Sequence, residues 1–391
     1  METIILKFGG TSVGSTDRIS AVANIIKAAC DEASPVVVVS AMSGETNRLI
    51  ALANSFGNEP NKREFDALVS TGEKVSASLV AIALNQLGIK AKSFSAAQIG
   101  MKTTANFSRA KIINLDKEVI FKAIEDGYIP IITGFQGITS DGDTTTMGRG
   151  GSDTTAVAIA ASIKSKRCDI YTDVDGIYTT DPRIVPNAKK LDSINIEEML
   201  ELSGQGAKVM QIRAVEFANK YKVLVRVLSS FEPGSGTLIL QEEDGMEDAV
   251  ITGIASQTDQ TKFTLHGVVD TPGIASGILS PVSEAGIEVD VIVQNVSVSG
   301  KTDFTFTVGT PDRAEVESVL KEKMQGISFD ELIIDEGIGK VSLVGVGMRS
   351  HAGIASTAFN ALADAGINIQ MISTSEIKIT IVISKEQLED A

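Results

Sequence analysis

Through the first 240 residues, short runs of apolar, β-branched residues alternate with longer stretches whose apolar positions recur every three or four residues. Ile4-Ile5-Leu6 leads into a glycine-rich turn. Ile19, Val22, Ala23, Ile26 and Ala29 then follow at the one-sided spacing of an amphipathic helix, with Thr16 or Asp17 as the expected N-cap. Val36 to Val39, after Pro35, read as a strand buried on both faces. Further strands are predicted over 89–94, 129–132, 168–172 and 223–228, and helices over 62–87, 152–162 and 196–202. Such alternation predicts an α/β domain with a mainly parallel sheet.

The pattern breaks after Leu240, where Gln241-Glu242-Glu243-Asp244-Gly245-Met246-Glu247-Asp248 is acidic and easily solvated. The domain boundary is placed there, giving 1–245 and 246–391. Beyond it the chain repeats itself. Gly273-Ile274-Ala275-Ser276 recurs as Gly353-Ile354-Ala355-Ser356, and Ala285-Gly286-Ile287 recurs as Ala365-Gly366-Ile367, both at an offset of 80. Each copy reads strand, turn, helix, strand, with strands expected over 263–268 and 341–347. Two small α+β modules result, either a duplicated packing unit or a pair whose glycine-opened helix N-termini hold a small carboxylate.

Composition narrows the chemistry. With 35 Lys and Arg against 50 Asp and Glu the formal charge is −15, which repels nucleic acid and anionic lipid. Any anionic substrate must be drawn in by local basic residues. Cys30 and Cys168 allow at most one disulfide and show no metal-ligand spacing, which fits a reducing interior. Met1-Glu2-Thr3 lacks a basic leader, and no apolar run reads as a membrane span, so a soluble cytoplasmic protein is expected. His266 and His351 are far apart in sequence, which argues against histidine catalysis or a histidine-rich metal site.

The first candidate motif is Lys7-Phe8-Gly9-Gly10-Thr11-Ser12-Val13-Gly14. Glycines between strand and helix let the backbone approach an anion, the helix N-terminus offers N–H groups, and Lys7 adds a full charge. Gly9 and Gly14 have the spacing of the common nucleotide loop, but Ser15-Thr16 stands where Lys-Ser or Lys-Thr belongs. No H-R-D or D-F-G signature is present either. An ordinary tight turn with a solvated lysine is the alternative.

The second motif is Met147-Gly148-Arg149-Gly150-Gly151-Ser152-Asp153-Thr154-Thr155, in which Arg149 can clamp a carboxylate and Asp153 can position a lysine or Mg²⁺. A plain capped helix start is equally open. The third, Thr172-Asp173-Val174-Asp175-Gly176-Ile177-Tyr178-Thr179-Thr180-Asp181-Pro182-Arg183, follows a predicted strand and so sits on the usual ligand edge of an open α/β sheet. Lys208 could add a second cation. Ser40-Ala41-Met42-Ser43-Gly44-Glu45-Thr46 and Ser70-Thr71-Gly72-Glu73-Lys74 read either as turns and caps or as contacts to a substrate.

Taken in order, Lys7-Phe8-Gly9-Gly10-Thr11-Ser12, Ser40-Ala41-Met42, Thr71-Gly72-Glu73, Gly134-Phe135-Gln136-Gly137, Gly148-Arg149-Gly150-Gly151-Ser152-Asp153 and Thr172-Asp173-Val174-Asp175-Gly176 resemble the aspartate kinases of the amino-acid-kinase family. The two repeats resemble ACT domains, so the resemblance covers essentially the whole chain. It implies a carbamate-kinase-like three-layer α/β sandwich with a mainly parallel sheet, followed by two ferredoxin-like α+β ACT domains. The first would span about 263–337, and the second about 338–391 plus a strand near 249–256.

The implied reaction is ATP + L-aspartate → ADP + 4-phospho-L-aspartate, the first step toward lysine, threonine and methionine. Its nucleophile is a carboxylate already ionised at neutral pH, so no histidine base is needed. By motif match Lys7 and Asp153 are expected to be catalytic, with Lys7 on the transferring phosphoryl oxygens. Ser40, Thr46, Glu73, Arg149, Gly150, Gly151 and Ser152 are expected to bind L-aspartate, Glu73 through its ammonium and Arg149 through a carboxylate. ATP is expected along Lys7, Gly9, Gly10, Thr172, Asp173, Tyr178, Asp181, Arg183 and Lys208, with Mg²⁺ held by phosphates and water and no metal site built by the protein. Lys7→Ala is expected to lower kcat at least roughly 100-fold with little change in fold.

For the tail the resemblance implies feedback inhibition by lysine, threonine or both, where ACT modules of two chains pair. Asp270, Gly273, Ala275 and Gln294 on the first module and Asn368 and Ile369 on the second are the expected contacts. A homo-oligomer follows. Met246 stands where some relatives begin a separate regulatory subunit, so an assembly with a shorter ACT-only chain is also open. The competing functions are an amino-acid sensor with a degenerate kinase domain and a kinase for another small acid or nucleotide.

Overall fold

The structure is a computed structural model that describes residues 2–391 except 58–59, 149, 208, 242–249, 296–299, 324–326 and 352. It divides into two units, Met1–Met246 and Glu247–Ala391.

In the first unit β1 (Thr3–Phe8) is buried along its whole length, and a short turn connects it to α1 (Thr16–Ala29). Ser15, one residue before the expected caps, is the N-cap of α1, its side chain accepting from Arg18 N at 3.2 Å. The all-valine run forms β2 (Ser34–Val39), and α2 (Glu45–Asn54) follows. The predicted helix over 62–87 is two segments, α3 (Lys62–Val69) and α4 (Thr71–Gln86), meeting at Ser70. Next come β3 (Ala91–Phe94), β4 (Lys102–Thr103), β5 (Ile112–Asn114), α5 (Lys117–Glu125), β6 (Ile129–Thr133), β7 (Gln136–Ile138) and β8 (Thr144–Thr146). The unit is completed by α6 (Gly151–Ile163), β9 (Arg167–Thr172), β10 (Ser193–Asn195), α7 (Ile196–Gly204), α8 (Ile212–Tyr221), β11 (Val225–Ser229) and β12 (Thr237–Leu240).

Eight strands form one sheet in the order β10-β12-β11-β9-β1-β2-β6-β3, parallel except for β11 with β12. A second sheet, β5-β4-β7-β8, is made of strands too short to show in the apolar pattern. The central strand β1 alternates its faces. Leu6 and Phe8 join the core built with Ile19, Val22 and Ile26 of α1 and Val80 and Leu84 of α4. The alternate residues, Ile5 and Lys7, face the other way, toward α6, which lies against β1, β2 and β9 and is itself covered by α8. That second layer explains why α6 is buried on all sides rather than amphipathic.

One helical run, Lys62–Gln86, is long and apolar enough to cross a membrane, contrary to the expectation that no stretch is. Half of its most apolar window is buried inside the fold, and it carries the buried carboxylates Asp66 and Glu73, so it serves as a core helix. Cys30 and Cys168 are both free thiols.

The second unit is a six-stranded antiparallel sheet ordered β14-β15-β13-β16-β18-β17, with β13 (Gly253–Val269), β14 (Val289–Gln294), β15 (Lys301–Gly309), β16 (Glu331–Val344), β17 (Met371–Thr374) and β18 (Lys378–Ser384). The long strands β13 and β16 pair along both modules, with bulges between Gln257 and Lys262 where one module passes into the other. The predicted strand over 263–268 lies inside β13. That over 341–347 stops at Val344, because a 3₁₀ turn occupies Val346–Ser350. Helices α9 (Ile274–Glu284) and α10 (Arg313–Lys323) cover one core, and α11 (Ile354–Asp364) covers the other.

The repeat is visible in backbone geometry. Gly273 and Gly353 cap α9 and α11 with φ of 94° and 96°, the left-handed region that favours glycine. Between the modules Lys340 is 1% exposed, and its ammonium reaches Gln260 Oε1 at 2.7 Å, Thr307 Oγ1 at 2.8 Å and the Asp290 carboxylate. Burial pushes its pKa down, and Asp290 opposes that shift.

Candidate active site

Lys7 ends on the α6 side of β1, and the first turn of α6 carries Asp153. Their side chains meet with Nζ 2.6 Å from Oδ1, Lys7 being 8% and Asp153 6% exposed. The turn before α6 makes this possible. Gly148 and Gly150 have φ of 77° and 66°, and Asp153 N donates to Gly150 O at 3.0 Å, so the helix begins abruptly with Asp153 at its positive end.

The glycine turn after β1 is fastened on both sides. Gly9 N donates to Tyr171 O at 3.2 Å, which engages the N–H expected for phosphate, while Gly10 N–H makes no hydrogen bond among the described residues. Gly10 O accepts from Ser43 N at 3.1 Å, and a Cβ on Gly10 would stand 3.0 Å from Ala41 O. Phe8 and Tyr171 stack at 4.8 Å beneath the turn. The turn is thus set close to 40–43 and can admit only glycine at position 10 without a shift.

Glu73 lies in the first turn of α4 and is 3% exposed. Its Oε1 accepts from Ala41 N at 3.2 Å, and its Oε2 has no hydrogen-bond partner among the described residues. Burial raises its pKa to about 7, only partly offset by the N–H donors of its own residue and Ala41. A buried carboxylate with a free oxygen is matched to a cationic group. Ser40 N donates to Phe8 O at 3.0 Å and Ser40 O accepts from Ser76 Oγ at 2.7 Å, while Thr46 is half-buried in the first turn of α2. Ser152 is buried against Gly134, where an added Cβ would lie 2.6 Å from Ser152 Oγ and 3.0 Å from its Cα. Gly134→Ala must therefore push the first turn of α6. The expected result is a loss of kcat of at least about tenfold, since misplacing a reacting group is costly, checked by initial rates at saturating substrates.

Thr172 and Asp173 leave β9 at the same sheet edge, Thr172 Oγ1 donating to Asp173 Oδ1 at 3.0 Å and Thr172 O accepting from Ser230 N at 3.0 Å. In the loop that follows, Tyr178 donates to Asp175 Oδ1 at 2.9 Å, and Asp181 and Arg183 pair at 2.6 Å in solvent. Arg149 and Lys208 lie outside the described residues. No group of three or more His, Cys, Asp or Glu side chains among the described residues could hold a metal ion.

In the second unit Asp270, Gly273, Ala275 and Gln294 line one open cleft of about 670 Å³ with Thr271, Pro272, Ile274 and Ser276. Asn368 and Ile369, expected beside them, are not among its lining residues: they precede β17 in the other module. Within one chain the expected effector contacts are therefore split.

Two features escaped sequence reasoning. Asp66 is fully buried in α3, and Arg18 donates to Ser230 O at 2.6 Å with its guanidinium 3.7 Å from the Phe231 ring centre. Each joins residues far apart in sequence, so no local spacing announces it.

Residues 2–229 match the amino acid kinase family, and residues 264–323 and 341–391 each match an ACT domain. The chain is 53% identical to an aspartokinase of Pseudomonas aeruginosa, covering 100% of this chain and 95% of that protein. Its structure is similar to a crystal structure of E. coli aspartokinase III in complex with aspartate and ADP, with a TM-score of 0.87 and 27% identity over 100% of this chain and 98% of that one. A second E. coli aspartokinase III structure, in complex with lysine and aspartate, has a TM-score of 0.75 at the same identity and coverage.

Proposed function

The chain belongs to the amino acid kinase family, with two ACT domains after the kinase domain, and from that premise we propose that it transfers the γ-phosphoryl group of ATP to the side-chain carboxylate of L-aspartate. It is a phosphotransferase of the aspartate kinase type. The observation that carries the substrate assignment is the pairing, at one sheet edge, of a buried Lys7–Asp153 ion pair with a buried Glu73 whose Oε2 is free. The first suits a transferring phosphoryl group, and the second suits an amino acid's ammonium.

In this reading an oxygen of the substrate's side-chain carboxylate attacks the γ-phosphorus, the bond from that phosphorus to the bridging oxygen breaks, and ADP leaves. No proton has to move, because the nucleophile is ionised. Lys7 neutralises charge on the phosphoryl oxygens, Asp153 holds Lys7 in line from the helix N-terminus, and Gly10 offers its N–H. Glu73 fixes the ammonium, and Arg149 clamps a carboxylate. ATP lies along the Thr172–Asp173 edge and the Tyr178–Arg183 loop toward Lys208. With no acidic cluster among the described residues to bind it, Mg²⁺ would arrive on the phosphates, and no step here depends on it.

Measuring ADP release with L-aspartate, acetylglutamate and UMP tests the assignment. Turnover with L-aspartate alone is expected. Turnover with another acceptor moves the chain to a different kinase of the fold, and none with any acceptor leaves a sensor.

The proposed setting is the cytoplasm, in the first step toward lysine, threonine and methionine, within an oligomer formed through the ACT modules. Lysine, threonine or both would bind the cleft at Asp270, Gly273, Ala275 and Gln294, completed by Asn368 and Ile369 of another module. An effector regulates only if it binds the inactive arrangement more tightly. Titrating lysine and threonine singly and together against initial rate should lower it at least about fivefold for one of the three conditions. A flat response in all three removes the regulatory reading.

A further inference from the structure

Asp66 is a fully buried carboxylate that the reaction above leaves unused. Its Oδ2 accepts from the backbone N–H of Ser108 at 2.8 Å and of Thr146 at 2.7 Å, and its Oδ1 accepts from Ser108 Oγ at 2.8 Å and Thr146 Oγ1 at 2.9 Å. Each oxygen thus accepts two hydrogen bonds, which fills the acceptor positions a carboxylate offers. The two residues it grips stand at the entrance to the α6 turn. Thr146 ends β8 two residues before Gly148, and the carbonyl oxygen of Ser108 lies 3.1 Å from where a Cβ on Gly148 would be. Gly148 and Gly150 both have left-handed φ, and α6 with Asp153 in its first turn follows.

The other end of this connection is Glu73. It lies in the first turn of α4, seven residues after Asp66 of α3, and the two helices meet at Ser70, whose backbone stays near helical values. The turn is also held from α8, where Arg213 donates to Met147 O at 2.7 Å and Ala110 O at 3.1 Å. Asp66 thus ties α3, which leads through Ser70 into the first turn of α4 with Glu73, to the strand end and turn that lead into α6 with Asp153.

We infer that Asp66 is a positioning residue for the acceptor: by joining these two elements it sets the spacing across the amino-acid pocket without touching substrate. This rests on reading that pocket as the aspartate site. A clamp that served stability alone would lower the amount of active enzyme and leave both Michaelis constants where they were. A clamp that sets spacing raises KM for the acceptor and spares ATP.

Steady-state kinetics on the full chain separate the two. Asp66→Ala should raise KM for L-aspartate at least roughly tenfold while KM for ATP stays within about twofold, because small displacements of binding groups carry large kinetic costs. Asp66→Asn is the conservative control: its oxygen can accept from both backbone N–H groups while its amide donates to both hydroxyls. It should keep the acceptor KM within about threefold of wild type. Should Asp66→Ala not fold, the Ser108→Ala/Thr146→Val double variant removes only the two hydroxyl donors, and it should raise the acceptor KM several-fold. Unmoved KM for L-aspartate in Asp66→Ala, or in the double variant should Asp66→Ala not fold, with active wild type alongside, overturns the inference alone. A wild type that turns over no L-aspartate overturns the reading of the pocket first, before any variant is compared.

Discussion

Lys7→Ala is expected to lower kcat by at least roughly 100-fold, the scale set by deleting one group that stabilises transition-state charge. The measurement is single-turnover ADP formation with saturating ATP and L-aspartate, so that binding losses do not enter. The structure changes one part of the expectation drawn from sequence, that the fold would hardly notice. Lys7 is buried against Asp153, and removing one partner of a buried pair leaves the other charge uncompensated, at a cost of about 3–5 kcal/mol. Lys7→Ala should therefore melt well below wild type. Lys7→Met/Asp153→Asn removes both charges and should recover most of that stability without recovering turnover. Near-normal turnover in either protein takes Lys7 out of the chemistry.

The second large effect concerns Glu73, whose pKa is raised from 4.5 to about 7, first by burial. Its sign can be followed through the linkage. Between those two values the folded protein holds a proton that the unfolded chain has released, so stability falls as pH rises through the window. Above about 7 the whole penalty is present, on the order of 3 kcal/mol. Glu73→Gln removes the charge while its amide oxygen can still accept from Ala41 N. Chemical denaturation should find it more stable than wild type at pH 8 by up to that amount, and no more stable at pH 4.

Binding should move the opposite way. Without the carboxylate the substrate ammonium loses a charge-assisted partner, so KM for L-aspartate should rise roughly 10- to 100-fold. In the wild type the same KM should climb as pH falls below about 7 and Glu73 takes up its proton, whereas the glutamine variant should be flat there. An unchanged KM together with an unchanged pH profile would show that Glu73 faces no ammonium. On the proposed reading, this instability is the cost of holding a cation site preorganised.

Much of the frame was legible along the chain because it is written in local periodicity. The all-valine strand, the α1 spacing and the repeat at offset 80 each announce an element without reference to any other. Elements too short to carry a period were not legible, and β4, β5, β7 and β8 are of that kind. Nor was the break at Ser70, whose backbone stays near helical values, or the cap at Ser15 rather than the neighbouring Thr16 or Asp17. The motif residues Lys7, Glu73 and Asp153 were nameable in sequence through the resemblance to the aspartate kinases, since each motif alone also reads as a turn or a cap.

What sequence determined by itself is therefore the α/β alternation with several of its longer strands and helices, the acidic junction, the duplicated modules and which residue types could handle phosphate and a zwitterion. What only tertiary structure decided is which of them meet and in what state. Period-two alternation turns Lys7 toward α6, but that α6 begins with Asp153 at the right height depends on the Gly148–Gly150 turn and on Asp66 holding its approach from α3. Ionisation belongs to the same class: a glutamate in the sequence has an ordinary pKa, and Glu73 departs from it because distant segments close over it and exclude water. Burial is a property of the assembled fold, so the polar groups it controls cannot be read from their neighbours in the chain.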